Sequence, residues 1–128
     1  FMFRGMFGHQ IINHKRIFYE NPILLPLNIM SSAQDTELWD NPQFSSYYVE
    51  NGDFIKLDNL TLGYNLPFKN TDLIKSARIF LTGSNLFVIT GYNGIDPEGS
   101  IGGLTPGVDS RGDYPSTRTF TLGFNIKF

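Results

Sequence analysis

The stretch Ser116–Phe128, STRTFTLGFNIKF, constrains this chain more than any other. Phe120, Leu122, Phe124, Ile126 and Phe128 fall on one parity, and Thr119, Thr121, Gly123, Asn125 and Lys127 on the other. Side chains alternate between the two faces of a strand but spiral around a helix, so a strict period of two predicts a strand with one apolar and one polar face. The polar face is small and mostly uncharged, where a water-facing strand would carry more Lys and Glu. The apolar face has a large residue at every position up to Phe128, although the ends of soluble domains usually fray. Two readings fit. One is a half-buried strand of a soluble sandwich. The other is a barrel strand with hydrocarbon outside and a polar lumen inside.

Three further segments read as strands, giving expected strands at about 1–8, 54–66, 77–90 and 116–128. In FIKLDNLTLGYNL (54–66), Leu60, Leu62, Tyr64 and Leu66 alternate with Thr61, Gly63 and Asn65, while Ile55 and Leu57 sit on the opposite parity. A one-residue slip near Asp58–Asn59, as in a β-bulge, reconciles the two halves. ARIFLTGSNLFVIT (77–90) is rich in β-branched and aromatic residues but mixed in alternation. Between the strands lie a long connection at 9–53, a short turn at 67–76 containing Lys69–Asn70, and a Gly-, Pro- and Asp-rich connection at 91–115. Part of the first, IINHKRIFYEN, has a helix-compatible composition up to Asn21–Pro22, where proline disfavours helix in the residue before it. Asn51–Gly52 and Asn93–Gly94 signal turns.

Loops longer than about 15 residues are uncommon in compact soluble domains. In outer-membrane barrels, by contrast, periplasmic turns are short and extracellular loops long. If Phe128 ends on the periplasmic side, the connections come out long outside, short inside and long outside, as that topology requires. Composition agrees. Aromatic residues make up 15% of the 128 residues, with 12 Phe, and charged residues only 17%, against about a quarter in a typical soluble domain. A net charge of -2 argues against nucleic acid, whose backbone demands an excess of Lys and Arg. There is no cysteine, so disulfides and thiolate metal sites are excluded. The sequence shows neither a signal peptide nor an apolar run near the roughly 18 residues of a membrane helix. A membrane reading therefore requires strands. Backbone groups in hydrocarbon must all be paired, so such a sheet must close, and four strands are too few where about eight is the minimum. The membrane reading thus makes the chain one segment of a larger barrel.

Three stretches, YVENGDFIKLDNLTLGYNLP, ARIFLTGSNLFVITGYNGIDPE and YPSTRTFTLGFNIKF, in that order and spacing, resemble the last strands of SusC/RagA-type TonB-dependent transporters. The resemblance covers about residues 47–128, with Asn85–Leu86, Gly91–Tyr92 and Asp96–Pro97–Glu98 as its specific combination. FRGMFGHQIIN resembles an upstream strand and its exit. The resemblance implies an all-β fold: antiparallel strands forming the C-terminal segment of a large transmembrane β-barrel, with long extracellular loops. It implies a bacterial outer-membrane importer of glycans or peptides, energised by the TonB complex and working with a SusD-like surface lipoprotein. The family's N-terminal plug domain and TonB-contacting part have no counterpart here, so the chain is not expected to transport alone. Phe120, Leu122, Phe124, Ile126 and Phe128 resemble the signal read by the barrel-assembly machinery, through a strand edge able to pair with a partner's edge, as well as a face for outer-membrane lipid.

Little else suggests chemistry. His9 and His14 are poorly spaced for two metal ligands on one helix face. Asp35, Glu37 and Asp40 read as solvated surface. Asp96, Glu98, Asp109 and Asp113 make the second long loop acidic, with Arg111 the opposing charge; a Ca²⁺ site there lacks the EF-hand pattern. No nucleophile elbow, P-loop or selected carboxylate pair is present, so no catalytic residue, cofactor or enzymatic activity is expected. Trp39, Tyr47, Tyr48, Tyr64 and Tyr92 are candidates for an interfacial aromatic girdle or for stacking on sugars, with Tyr64 and Tyr92 the girdle candidates. The competing reading is a soluble antiparallel β-domain that binds a lipid or glycan and uses the same aromatic strands as an inward core.

Overall fold

The computed structural model describes residues 1–24, 28–37, 39–41, 43–67, 74–99, 104 and 107–128. The described residues divide into two compact units. The strand unit comprises residues 1–5, 55–89 and 116–128, and the loop unit comprises residues 6–54 and 90–115.

Four strands form one sheet: β1 (Met2–Met6), β4 (Phe54–Leu66), β5 (Ser76–Thr90) and β7 (Thr119–Lys127), in the spatial order β1-β4-β5-β7. The sheet is open and its two outer strands are β1 and β7. The strands β5 and β7 pair antiparallel from Ser76↔Lys127 to Ser84↔Thr119. Opposed residues share a face, so Ala77–Ile126, Ile79–Phe124 and Leu81–Leu122 line one side, and Arg78–Asn125 and Thr82–Thr121 the other.

The strand expected at 54–66 spans Phe54–Leu66. Within it Ile55 is exposed while Phe54, Lys56 and Leu57 are buried, so alternation is interrupted at Lys56–Leu57. The strand expected at 116–128 is shorter, beginning at Thr119. A physical reason lies in β5. Asn85 adopts a left-handed conformation, φ 55°, which is uncommon for a residue with a Cβ and tolerated best by Asn. Beyond it the ladder stops, and the Asn85 amide instead donates to the Thr117 carbonyl (3.1 Å). The same break explains the mixed alternation of β5. Leu86 stands beside Gly83, close enough that a Cβ at 83 would meet it at 2.7 Å, although the two differ in parity. Much of the turn expected at 67–76, including Lys69–Asn70, lies outside the described residues.

The connections at 9–53 and 91–115 are not bare loops. Strands β2 (Gln10–Asn13), β3 (Val49–Asn51) and β6 (Val108–Asp109) form a second sheet in the order β3-β2-β6. The β2–β3 pair is antiparallel, with Ile11 opposite Glu50, and the β2–β6 pair is parallel, with Asn13 opposite Asp109. Helix α1 is short, His14–Tyr19, and begins where the Asn13 side chain accepts from the Arg16 amide (3.1 Å). The helix-compatible stretch IINHKRIFYEN therefore splits into a strand and a six-residue helix, because Ile11 and Ile12 pair across a sheet before the cap. Short 3₁₀ turns follow at Pro22–Leu24, Ser31–Asp35 and Ser46–Tyr48. The core of this unit contains Ile11, Ile17, Ala33, Tyr48, Phe54 and Tyr92.

Candidate functional site

The strand unit presents two chemically different faces. On the apolar side Phe120, Leu122, Phe124 and Ile126 project with their neighbours Ile79 and Leu81, and none of the described residues covers them. These four and Phe128 are 51–78% exposed. Burying each such side chain gains about 1.5–3 kcal/mol, so a soluble β-domain would fold them inward. Among the described residues they form no such inward core. Tyr64, a girdle candidate, is also exposed on β4 and borders the same apolar hollow as Leu62, Ile79 and Leu122.

The opposite side is polar and closely fitted. The Thr61 and Thr82 hydroxyls bond at 2.9 Å, and the Asn59 amide donates to the Ser84 hydroxyl at 3.4 Å. The Arg78 guanidinium lies over Gly63, and the Phe80 ring lies over Gly123, where a Cβ would meet ring carbon at 2.2 Å. Gly63 and Gly123 are small because long side chains from β5 occupy their places. Further along β4, Lys56 and Arg4 both reach Asp58, at 3.8 and 3.3 Å. Phe3 meets Phe87 edge to face at 6.3 Å.

In the loop unit, buried polar groups do the organising. Arg16 donates to Glu20 (2.7 Å), one helical turn on, and to Glu50 (2.9 Å) on β3. Burial opposes the Arg16 charge, but the two carboxylates outweigh it and hold the guanidinium firmly protonated. Asn13 also donates to Glu50 (3.1 Å). A second knot forms around Asp109, whose carboxylate accepts from the Tyr92 hydroxyl (2.8 Å) and the Ile95 amide (2.8 Å). Burial, reinforced by that carboxylate, pushes the Tyr92 phenol well above its ordinary value. Arg111 lies 4.7 Å over the Phe18 ring, which ties the second connection to α1.

These contacts revise several sequence expectations. Tyr92 is 7% exposed and anchors a buried hydrogen bond, so it does not present a girdle ring; its phenol needed a partner, and Asp109 supplies it. Asp109 is thereby engaged, and Asp96 accepts from the Glu98 amide (2.9 Å). Among the described residues no three His, Asp or Glu side chains converge as metal ligands. His9 lies within 3.2 Å of the Pro97 carbonyl, and His14 stacks on Phe44 at 5.5 Å. The Arg16–Glu20 spacing of four was readable from the sequence; the partners Glu50 and Asp109 were not, because they come from distant segments.

A cleft of about 280 Å³ opens in the same unit, between the stretches 37–41 and 43–48. Trp39 and Tyr47 stand at it together with Glu37, Asp40, Asn41 and Gln43. The Asn21 amide donates to the Asp40 carbonyl, and the Thr36 hydroxyl to the Glu20 carbonyl at 3.3 Å, so the first wall is fastened from behind. Asp35, Glu37 and Asp40 are exposed, as a solvated surface requires, and Glu37 and Asp40 also line this cleft.

No protein-family profile matches the chain. Among curated proteins, TonB-dependent receptor P26 of Formosa agariphila is 41% identical over 92 residues, 66% of this chain and 9% of that protein. TonB-dependent receptor SusC of Bacteroides thetaiotaomicron is 37% identical over 87 residues, 66% of this chain and 8% of SusC. Among solved structures, the RagAB peptide importer in its closed-closed state aligns over 98% of this chain and 15% of its own, at 31% identity and a TM-score of 0.79. Its open-open state aligns with a TM-score of 0.74 at 28% identity. The chain thus spans less than a tenth of the curated relatives it matches. Strand content, the two-faced sheet, and identity to both named types lead to one assignment: the chain belongs to the SusC/RagA-type TonB-dependent receptors.

Proposed function

We infer that the chain forms part of the wall and the outer loops of a bacterial outer-membrane β-barrel that imports glycans or peptides in a TonB-dependent manner. The observation carrying this reading is the exposed apolar face of Phe120, Leu122, Phe124 and Ile126, backed by a polar face of hydroxyls and Arg78. Hydrocarbon satisfies the first and a wet lumen the second. The open edges of β1 and β7 pair with further strands of the barrel, because a membrane sheet leaves no edge unpaired. On this reading Phe128 and the alternate apolar residues before it are read by the barrel-assembly machinery. Tyr64 lies at the membrane interface. A SusD-like lipoprotein meets the surface loops, and the TonB complex acts through an N-terminal part of the full protein. The chain performs no catalysis.

The full-length protein tests this. It is expected in the outer-membrane fraction as a heat-modifiable barrel, and deleting Phe128 is expected to lower the folded fraction severalfold. A full-length protein recovered as a detergent-free soluble monomer would reject the membrane reading. Unchanged barrel levels after the deletion would reject the assembly-signal role alone.

A further inference from the structure

Trp39 is the chain's single tryptophan, and 65% of its surface is exposed. Tyr47, which also lines the cleft, is 50% exposed. Its ring is fixed by the Arg16 guanidinium, 5.1 Å from the ring centre, and by the edge-on ring of Tyr48 at 5.0 Å. Arg16 is itself held by Glu20 and Glu50. Asn21 and Thr36 fasten the backbone on either side of Trp39, so the segment that carries it is held. A preorganised site loses little affinity to ordering.

The chemistry of the lining selects a ligand. Flat aromatic faces suit the C–H faces of a sugar ring, and the side chains of Glu37, Asp40, Asn41 and Gln43 offer both acceptors and donors to hydroxyl groups. The stretch 37–48, ELWDNPQFSSYY, holds no Lys or Arg, so a uronate or sulfated sugar would meet two carboxylates and no cation of that stretch. Extended peptides are taken up by strand edges or by apolar side-chain pockets. The described residues of 37–48 contain no strand, and the lining alternates rings with polar groups. We propose that this cleft binds a neutral saccharide, with Trp39 and Tyr47 as its stacking platform. The proposal deepens the importer reading by naming a class of cargo contact, and rests on that reading for its use in transport.

The test is calorimetric titration of the full-length protein in detergent. The probes are neutral linear hexasaccharides of gluco, xylo, manno and galacto configuration, an oligogalacturonate, and a Lys-rich peptide. At least one neutral oligosaccharide is expected to bind, and Trp39→Ala to weaken it about tenfold or more, as truncating a central aromatic contact does. Tyr47→Ala is expected to weaken it less, and the oligogalacturonate to bind about tenfold more weakly than a neutral binder. Heat-modifiable migration checks the fold of each variant. Should Trp39→Ala not fold, Gln43→Ala, at another lining residue, is expected to lose severalfold affinity. Absence of neutral-saccharide binding overturns the proposal, as does binding unchanged in Trp39→Ala and Gln43→Ala. Trp39-dependent capture of the peptide in its place also overturns it. A protein that reaches the outer membrane yet binds no neutral sugar rejects the cleft and keeps the importer. Trp39-dependent sugar binding by a protein that never forms a barrel does the reverse.

Discussion

The strand unit and the loop unit solve the problem of burial in opposite ways. In the strand unit the largest apolar side chains, Phe120 and Phe124 among them, point away from the chain, and the polar atoms pair across strands. In the loop unit the groups taken out of water include Asn13, Glu20, Asn21 and Asp109, each with a hydrogen bond or ion pair to a defined partner. A sheet whose outer face is covered by another medium needs no core of its own. Connections rich in Gly, Pro and Asp cannot supply one from apolar residues alone, so buried carboxylates and amides hold them. Such networks carry a penalty when broken that a sheet face exposed to lipid does not.

The comparison breaks most readily at Leu122. It faces the apolar side, opposite Leu81. Leu122→Arg in the full-length barrel is expected to destabilise the membrane-inserted form by about 2–4 kcal/mol, the cost of an Arg near the bilayer midplane. Thr121→Arg, one residue away on the face of Thr82, is expected to change stability by less than about 0.5 kcal/mol, as a substitution toward water does. Denaturant unfolding in lipid vesicles measures both. Equal losses would mean that the two faces meet the same medium, and the contrast drawn here would fail.

Asp109 probes the other unit. Asp109→Ala leaves the Tyr92 hydroxyl and the Ile95 amide without their acceptor, a loss of about 1–3 kcal/mol in local stability. Tyr92→Phe removes one bond and is expected to cost about 0.5–1.5 kcal/mol. Hydrogen exchange should show faster exchange at Ile95 and its neighbours, with the amides of β5 and β7 unchanged. Alkali sharpens the point. The folded phenol of Tyr92 has a raised pKa, so its contribution is fully present below the unfolded value of about 10 and is lost as pH rises above it. Protection at Ile95 should fall above that pH in the wild type, and the fall should be shallower in Tyr92→Phe.

What the sequence disclosed follows the same division. Strand periodicity is local, so the alternation of Phe120, Leu122, Phe124 and Ile126 and the extent of 54–66 could be read directly. The seat of Phe80 on Gly123 could not, because it depends on register between strands, and register becomes visible only when the pairing is known. The left-handed turn at Asn85 hid in a stretch whose alternation merely looked irregular. In the loop unit the determining pairs join distant segments: Ile12 with Val108, Arg16 with Glu50, Tyr92 with Asp109. No period marks such pairs, so nothing in the sequence points to the buried partner of Tyr92 or to the grouping of Trp39 with Tyr47.

The smallest expected effect belongs to Asp53, which is part-exposed yet specifically bonded. Its carboxylate accepts from the Asn51 amide (3.1 Å) and the Gly8 amide (2.6 Å). Gly8 has φ 74°, a conformation that glycine adopts without strain. The Asn51 side chain, followed by the Gly8 amide, lowers the Asp53 pKa below its ordinary value. The sign follows directly: a depressed folded pKa gives stability that is present above the unfolded value of about 4 and is lost as pH falls through the folded one. The effect at neutral pH is therefore constant and appears only in acid. Exchange of the Gly8 amide, corrected for the intrinsic rate, should accelerate below about pH 4 in the wild type. Asp53→Asn should abolish that acid dependence while keeping an acceptor in place. An acid step that persists in Asp53→Asn would place the sensitivity on another carboxylate and leave this junction held by backbone geometry alone.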